Sequence, residues 1–227
     1  MAAASNGSKK PQASKDHRRS IIDAALEHAA ENDWSTVSLD EIALMADVPL
    51  VELRRHFAAK HEIIVALARQ VDADLLANLG DDLADETVRD ALFDILMQRF
   101  DALEPYKPGL KRILEEARRR PDLILPVLPQ LARSMTAMLE AAGQPADVTR
   151  EGIRVAALSL IWLSVMRVWL EDDSADQAKT MAGLDKALGQ AETLANSVND
   201  GPGAFFKSMV GVLRPSKEDN AAPPTSD

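Results

Sequence analysis

The chain has 227 residues, of which 46% are hydrophobic, with a formal net charge of −10 and no cysteine. This length and apolar content suffice for one large or two small domains with a buried core. The absence of cysteine excludes disulfides, thiolate catalysis and cysteine-ligated metal sites. An acidic balance has the wrong sign for a protein that coats nucleic acid, so any such contact has to come from a local basic patch.

Neither a secretory signal nor a membrane span is expected. The first 20 residues contain no apolar stretch of the kind that a signal peptide needs. The longest apolar run lies between Arg154 and Arg167 and has 12 residues, whereas a bilayer-spanning helix needs roughly 20. We therefore expect a cytoplasmic protein without stable membrane insertion.

The patterned part of the chain has the helical period throughout, and no segment alternates with the period of a strand. The sequence therefore predicts an all-α protein of about nine helices. Residues 1–15 and 214–227 are predicted to be a disordered basic arm and a disordered tail. The predicted helices span about 16–31, 38 onward, 49 onward, 59–79, 86–103, 108–119, 125–142, 148–170 and 175–198, followed by a short amphipathic piece at 204–213.

Helix-end signals are strongest between residues 38 and 60. Ser38-Leu39-Asp40-Glu41 is a capping box, in which the serine hydroxyl and the glutamate satisfy backbone N–H groups at a helix start. Pro49 is a residue favoured at a first helical position. Leu53 and Phe57 are four residues apart and predict the core face of a third short helix.

This stretch resembles the N-terminal DNA-binding domain of TetR-type transcriptional regulators. The resemblance covers about residues 18–75 and rests on Ser38, Ile42-Ala43, Val48, Leu53, His56-Phe57 and Lys60. It implies a helix-turn-helix domain over residues 16–80 and a helical effector-binding and dimerisation domain over residues 81–213. It also implies a homodimer whose recognition helices enter successive major grooves of a palindromic operator, about 34–36 Å apart.

The resemblance also assigns candidate DNA-binding residues. Ser38 and Lys60 match positions that hold phosphates, and Arg55 and His56 match positions that meet the backbone or base edges. The complete set is Ser38, Pro49, Leu50, Val51, Arg54, Arg55, His56 and Lys60. The implied function is that of a ligand-responsive repressor, released from DNA by a small apolar effector.

Several residues depart from the pattern of that family. Asp47 stands where the family usually has glycine in the turn, and Glu52 lies on the expected reading face. Residues 1–60 contain eight Lys or Arg against nine Asp or Glu, so this part carries a net charge of about −1. Because counterion release supplies much of the affinity for DNA, we expect binding to be modest or to depend on the basic arm at residues 9–19.

Methionine and aromatic stripes mark candidate pocket residues in the second half of the chain. Such stripes are usually core, although flexible methionine linings also suit apolar ligands, and both interpretations stay open. The candidate effector-pocket residues are Phe93, Met97, Met135, Met138, Trp162 and Met166.

Two alternatives to a DNA-binding regulator remain. One is a protein of the same fold that has lost DNA reading and binds a lipid or isoprenoid, as an accessory protein of ubiquinone biosynthesis does. The acidic and apolar reading face and the amphipathic segment at 204–213 favour it. The other is a plain helical dimerisation module. No phosphate loop, nucleophile elbow or metal-ligand spacing occurs, so we expect neither an enzyme nor a cofactor or metal site.

Overall fold

The computed structural model describes residues 10–80, 86–144 and 151–197. In these ranges the chain forms nine α-helices and no strand, as the sequence predicts. The helices are α1 Lys10–Glu31, α2 Leu39–Met45, α3 Leu50–His56, α4 Lys60–Asn78, α5 Val88–Leu103, α6 Lys107–Ala117, α7 Leu128–Ala141, α8 Glu151–Leu170 and α9 Ala178–Ser197.

The first helix begins earlier than the sequence predicts. α1 starts at Lys10 instead of about Asp16, so residues 10–15 of the predicted disordered arm are helical. Pro11 is compatible with this start, because a first-turn N–H has no partner inside the helix. The rest of the arm, the segment at 204–213 and the tail at 214–227 lie outside the described residues.

Two later boundaries also differ from the predicted ones. Leu125–Val127 forms a short 3-10 turn, so α7 starts only at Leu128 instead of 125. Pro126 and Pro129 account for this break, since each lacks the N–H that a helix interior requires. Gln177 has a left-handed backbone with φ of 51°, so the last helix begins at Ala178 instead of 175.

The first three helices enclose a small apolar core, as predicted. Ile21 from α1, Ile42 from α2 and Leu53 from α3 are fully buried, and Trp34 fills the space beneath the α1–α2 loop. α4 then runs into the second half of the chain. The buried apolar side chains form a single cluster that runs from Ile21 to Leu188, so the two predicted domains share a core.

α6 and Tyr106, the residue just before it, hold the N-terminal helices against the rest of the protein. The Tyr106 hydroxyl donates to Asp23 over 2.9 Å, and the backbone N–H of Ser35 donates to Glu116 over 3.1 Å. Between these contacts α1 and α6 pass so closely that a Cβ at Gly109 would lie 2.2 Å from the Leu26 carbonyl oxygen. These contacts, spread along α6, therefore set the orientation of α1–α3.

Candidate nucleic-acid interface

The turn between α2 and α3 requires a left-handed residue. Asp47 occupies that position with φ of 51°. Glycine adopts this conformation without steric cost, and aspartate is among the few other residues that tolerate it. Asp47 therefore preserves the turn geometry while adding a negative charge beside α3.

Ser38 and Glu41 form the predicted capping box at the start of α2. The Glu41 N–H donates to the Ser38 hydroxyl over 3.2 Å, and the Glu41 carboxylate accepts from the Ser38 backbone N–H over 2.7 Å. The Ser38 hydroxyl also donates to that carboxylate over 2.8 Å. The two hydrogen bonds that the carboxylate accepts, led by the one from the Ser38 backbone N–H, lower the pKa of Glu41. A negative charge thus lies beside Ser38, where the resemblance implies a phosphate.

Arg54 and Arg55 are exposed on α3, and each faces a carboxylate of α2 or α3. Arg55 donates to Glu52 over 2.6 Å, and Arg54 lies 3.9 Å from Asp40. Exposed pairs of this kind contribute little to stability. Their consequence is electrostatic, because each arginine that would meet phosphate is already partly neutralised.

The remaining predicted residues of α3 divide into exposed and packed side chains. Pro49 and Val51 face solvent, whereas Leu50 is half-buried against the apolar core. His56 is also half-buried, and its Nε2 atom has no hydrogen-bond partner. Leu50 therefore contributes to packing, which its assignment as a DNA-contacting residue did not anticipate.

Lys60 is placed differently from the phosphate contact that the resemblance implies. Its ammonium donates to the backbone carbonyls of Trp34, Ser35 and Val37 and lies 5.1 Å from the centre of the Trp34 ring. Burial lowers the pKa of Lys60. With its three donors directed at three carbonyls, Lys60 holds the α1–α2 loop.

A buried ion pair, missed by the sequence-based predictions, connects α4 to the second half of the chain. Arg99 on α5 donates to Asp72 on α4 over 2.8 Å, and the Ser134 hydroxyl on α7 donates to the other carboxylate oxygen. The Arg99 guanidinium also lies 4.2 Å from the centre of the Trp162 ring. Burial lowers the pKa of Arg99, and the Asp72 charge opposes that shift.

The six predicted pocket residues belong to the core. Met135, Met138, Trp162 and Met166 are buried, and Trp162 stacks on Phe100 with ring centres 4.2 Å apart. Phe93 and Met97 are partly buried against the same cluster. This arrangement corresponds to the packing interpretation of the stripes.

Two cavities in the described part of the chain lie elsewhere. One of about 20 Å³ lies between α7 and α8, lined by residues that include Thr136, Glu140 and Arg154. The other, of about 530 Å³, is an open groove between α1 and the start of α6, where Arg19 and Tyr106 are among the lining residues. None of the six predicted pocket residues lines either cavity.

Three solved structures with a similar arrangement of helices are TetR-type regulators. A TetR transcriptional regulator from Nitrosomonas europaea matches with a TM-score of 0.62 and 24% identity, covering 76% of this chain and 95% of its own. A TetR regulator from Rhodococcus sp. RHA1 has a TM-score of 0.51 and 20% identity, over 82% and 98% of the two chains. A TetR-family regulator from Streptomyces coelicolor has a TM-score of 0.51 and 18% identity, over 88% and 87%.

These likenesses establish the fold: the chain has the all-helical architecture of TetR transcriptional regulators. No family model matches the sequence, and no curated protein does. The predicted class of fold, a helix-turn-helix followed by further helices, is therefore confirmed at the level of architecture.

Proposed function

We propose that this protein is a DNA-binding transcriptional regulator that acts as a homodimeric, ligand-responsive repressor in the cytoplasm. The observation that carries the proposal is the α2–turn–α3 unit, with a capped α2, a left-handed turn at Asp47 and exposed arginines on α3. The likeness of the whole fold to TetR regulators supports it. The DNA contacts come from Arg54, Arg55 and the exposed side of α3, with Ser38 and His56 at its margins.

The apolar surface of α8 supports the homodimer. An 18-residue window of α8 has a mean hydropathy of 1.7, enough by length and composition to cross a membrane, but only 44% of it is buried. Four residues recur there at helical spacing and are only partly buried: Ile153, Ala156, Leu160 and Leu163. Leu160 and Leu163 also pack against the edge of the core cluster. Because the other side of α8 carries the buried Trp162 and Trp169, we assign α8 to the core and its open side to a second copy.

The methionine-rich core between α5, α7 and α8 is the proposed effector site. Flexible methionine side chains rearrange at low cost around apolar ligands. A small apolar effector would enter by displacing packed side chains near Trp162. Arg99 contacts both Trp162 and Asp72 of α4. Such a displacement would therefore also move α4, the helix that follows the DNA-binding unit α1–α3.

The lipid-binding alternative is not favoured. The three solved structures described above, which share the fold, are transcriptional regulators. The amphipathic segment at 204–213, which motivated the alternative, lies outside the described residues.

DNA binding is tested by selecting duplexes from a random pool with the full-length protein and measuring their affinity across salt concentrations. We expect a palindromic consensus. The Glu52→Gln variant removes the acidic partner of Arg55, so we expect it to bind the consensus more tightly. If Arg55 then meets one more phosphate, the slope of log affinity against log salt becomes steeper by about 0.9.

Glu171→Gln is the matched control for that variant. Glu171 pairs with Lys111 at 3.0 Å, away from α3, and its replacement changes the net charge by the same amount. It should leave both affinity and salt slope unchanged. Failure to select any consensus would contradict the proposed function. Equal changes of affinity and salt slope in the two variants would contradict the role of Arg55.

The homodimer is tested by light scattering with Leu160→Glu. Leu160 lies in the middle of the partly exposed side of α8, at the edge of the core. A charge there has to be buried in the interface, which is costly without a partner. We expect twice the chain mass for the wild type and the single-chain mass for the variant, with the helical circular-dichroism signal retained. Leu125→Glu, at an exposed position outside α8, should stay dimeric; a dimeric Leu160→Glu would place the interface elsewhere.

A further inference from the structure

The exposed side chain at the start of α3 is apolar, and the polar side chain of its first turn, Glu52, is paired with Arg55. Pro49 precedes the helix and makes no side-chain capping hydrogen bond, and Leu50 turns into the core. Val51 is 68% exposed and points its methyl groups at solvent. The next side chain, Glu52, is bonded to Arg55. The first turn of α3 therefore presents the apolar side chain of Val51 beside a carboxylate that is already bonded to Arg55.

The start of a recognition helix is the part that contacts base edges in the major groove. The apolar feature that a base pair offers there is the C5 methyl group of thymine. We propose that Val51 determines operator specificity by contacting a thymine methyl group in each half-site. This inference rests on the proposed DNA-binding function and assigns the kind of base that its reading face recognises.

The polar residues of α3 fit a different task. Arg54 and Arg55 lie after the first turn, and both are exposed with carboxylates at their guanidinium groups. Phosphate contacts position a protein on the duplex and carry no sequence information directly. Arg54 and Arg55 therefore position the protein on the duplex through phosphate contacts, and the contact of Val51 with the thymine methyl group discriminates between sequences.

The experiment replaces thymine by uracil, one position at a time, in the duplex selected by the full-length protein. This change removes one methyl group and keeps every hydrogen-bonding group of the base. A buried methyl group corresponds to a loss of about fourfold in affinity, and to about fifteenfold when both half-sites of a dimer lose it. We expect this loss at one symmetric pair of positions for the wild-type protein.

Two variants link the loss to Val51. Val51→Ala should bind the thymine duplex more weakly and lose nothing further with uracil at the sensitive pair. Leu44→Ala removes another exposed apolar side chain, 83% exposed on α2, and should keep the full wild-type response to uracil. The inference is overturned if no uracil position weakens binding by more than about twofold, or if Val51→Ala keeps the wild-type sensitivity.

Failure of the inference differs visibly from failure of the proposed function. A protein that selects a consensus but ignores the methyl groups is a regulator that reads bases by other contacts. A protein that selects no consensus lacks the proposed function, and the assignment of Val51 falls with it.

Discussion

Replacing Asp72 by alanine should lower the free energy of unfolding by about 3–5 kcal/mol, the range for breaking a buried ion pair. The variant leaves the guanidinium of Arg99 buried at the junction of α4, α5 and α7 without its carboxylate. Ser134 loses its acceptor at the same time. Urea unfolding followed by circular dichroism measures the change.

The double variant Asp72→Leu with Arg99→Met is the control for this effect. It removes both charges together, and replacing a buried pair by apolar residues of similar volume is often neutral or stabilising. We expect the double variant to recover most of the stability that Asp72→Ala loses. If Asp72→Ala unfolds at the wild-type urea midpoint, the pair does not hold α4 in place.

Replacing Gly109 by alanine should destabilise the protein by about 1–3 kcal/mol, as overpacking does in a well-packed core. The added Cβ would lie 2.2 Å from the carbonyl oxygen of Leu26 and 3.0 Å from its carbonyl carbon. Backbone atoms cannot rotate away as a side chain can, so α1 and α6 have to separate. The measurement is the urea midpoint.

Gly152→Ala is the matched control, since nothing lies within 4 Å of a Cβ at that position of α8. Alanine is a better helix former than glycine by about 0.5–1 kcal/mol, so this variant should be as stable as the wild type or more so. Because α1 packs against the α2–α3 unit that is proposed to bind DNA, Gly109→Ala should also weaken DNA binding. Equal midpoints for Gly109→Ala and Gly152→Ala would show that α1 and α6 do not approach so closely.

The local patterns of the sequence determined a large part of the fold. The capping box at Ser38, the core face of Leu53 and Phe57 and the all-helical architecture follow from contacts within about four residues, and the structure has them. Boundaries were less accurate where a residue has two possible roles. Pro11 and Pro129 can each start a helix or interrupt one, and only the completed structure decides between these.

The tertiary structure alone decided which residues meet across helices. Asp72 and Arg99 each fall on an otherwise apolar helix face, a signal visible in the sequence, but their pairing depends on how α4 and α5 cross. Lys60 lies where the family resemblance implies a phosphate contact, yet the α1–α2 loop supplies carbonyls that take its donors. Gly109 approaches Leu26 because α6 lies along α1. The hydrogen bond between Tyr106 and Asp23, at the same contact, joins residues that are 83 positions apart in the chain. Periodicity defines which face of a helix is buried, whereas the partner of that face depends on distances that only the packed chain contains.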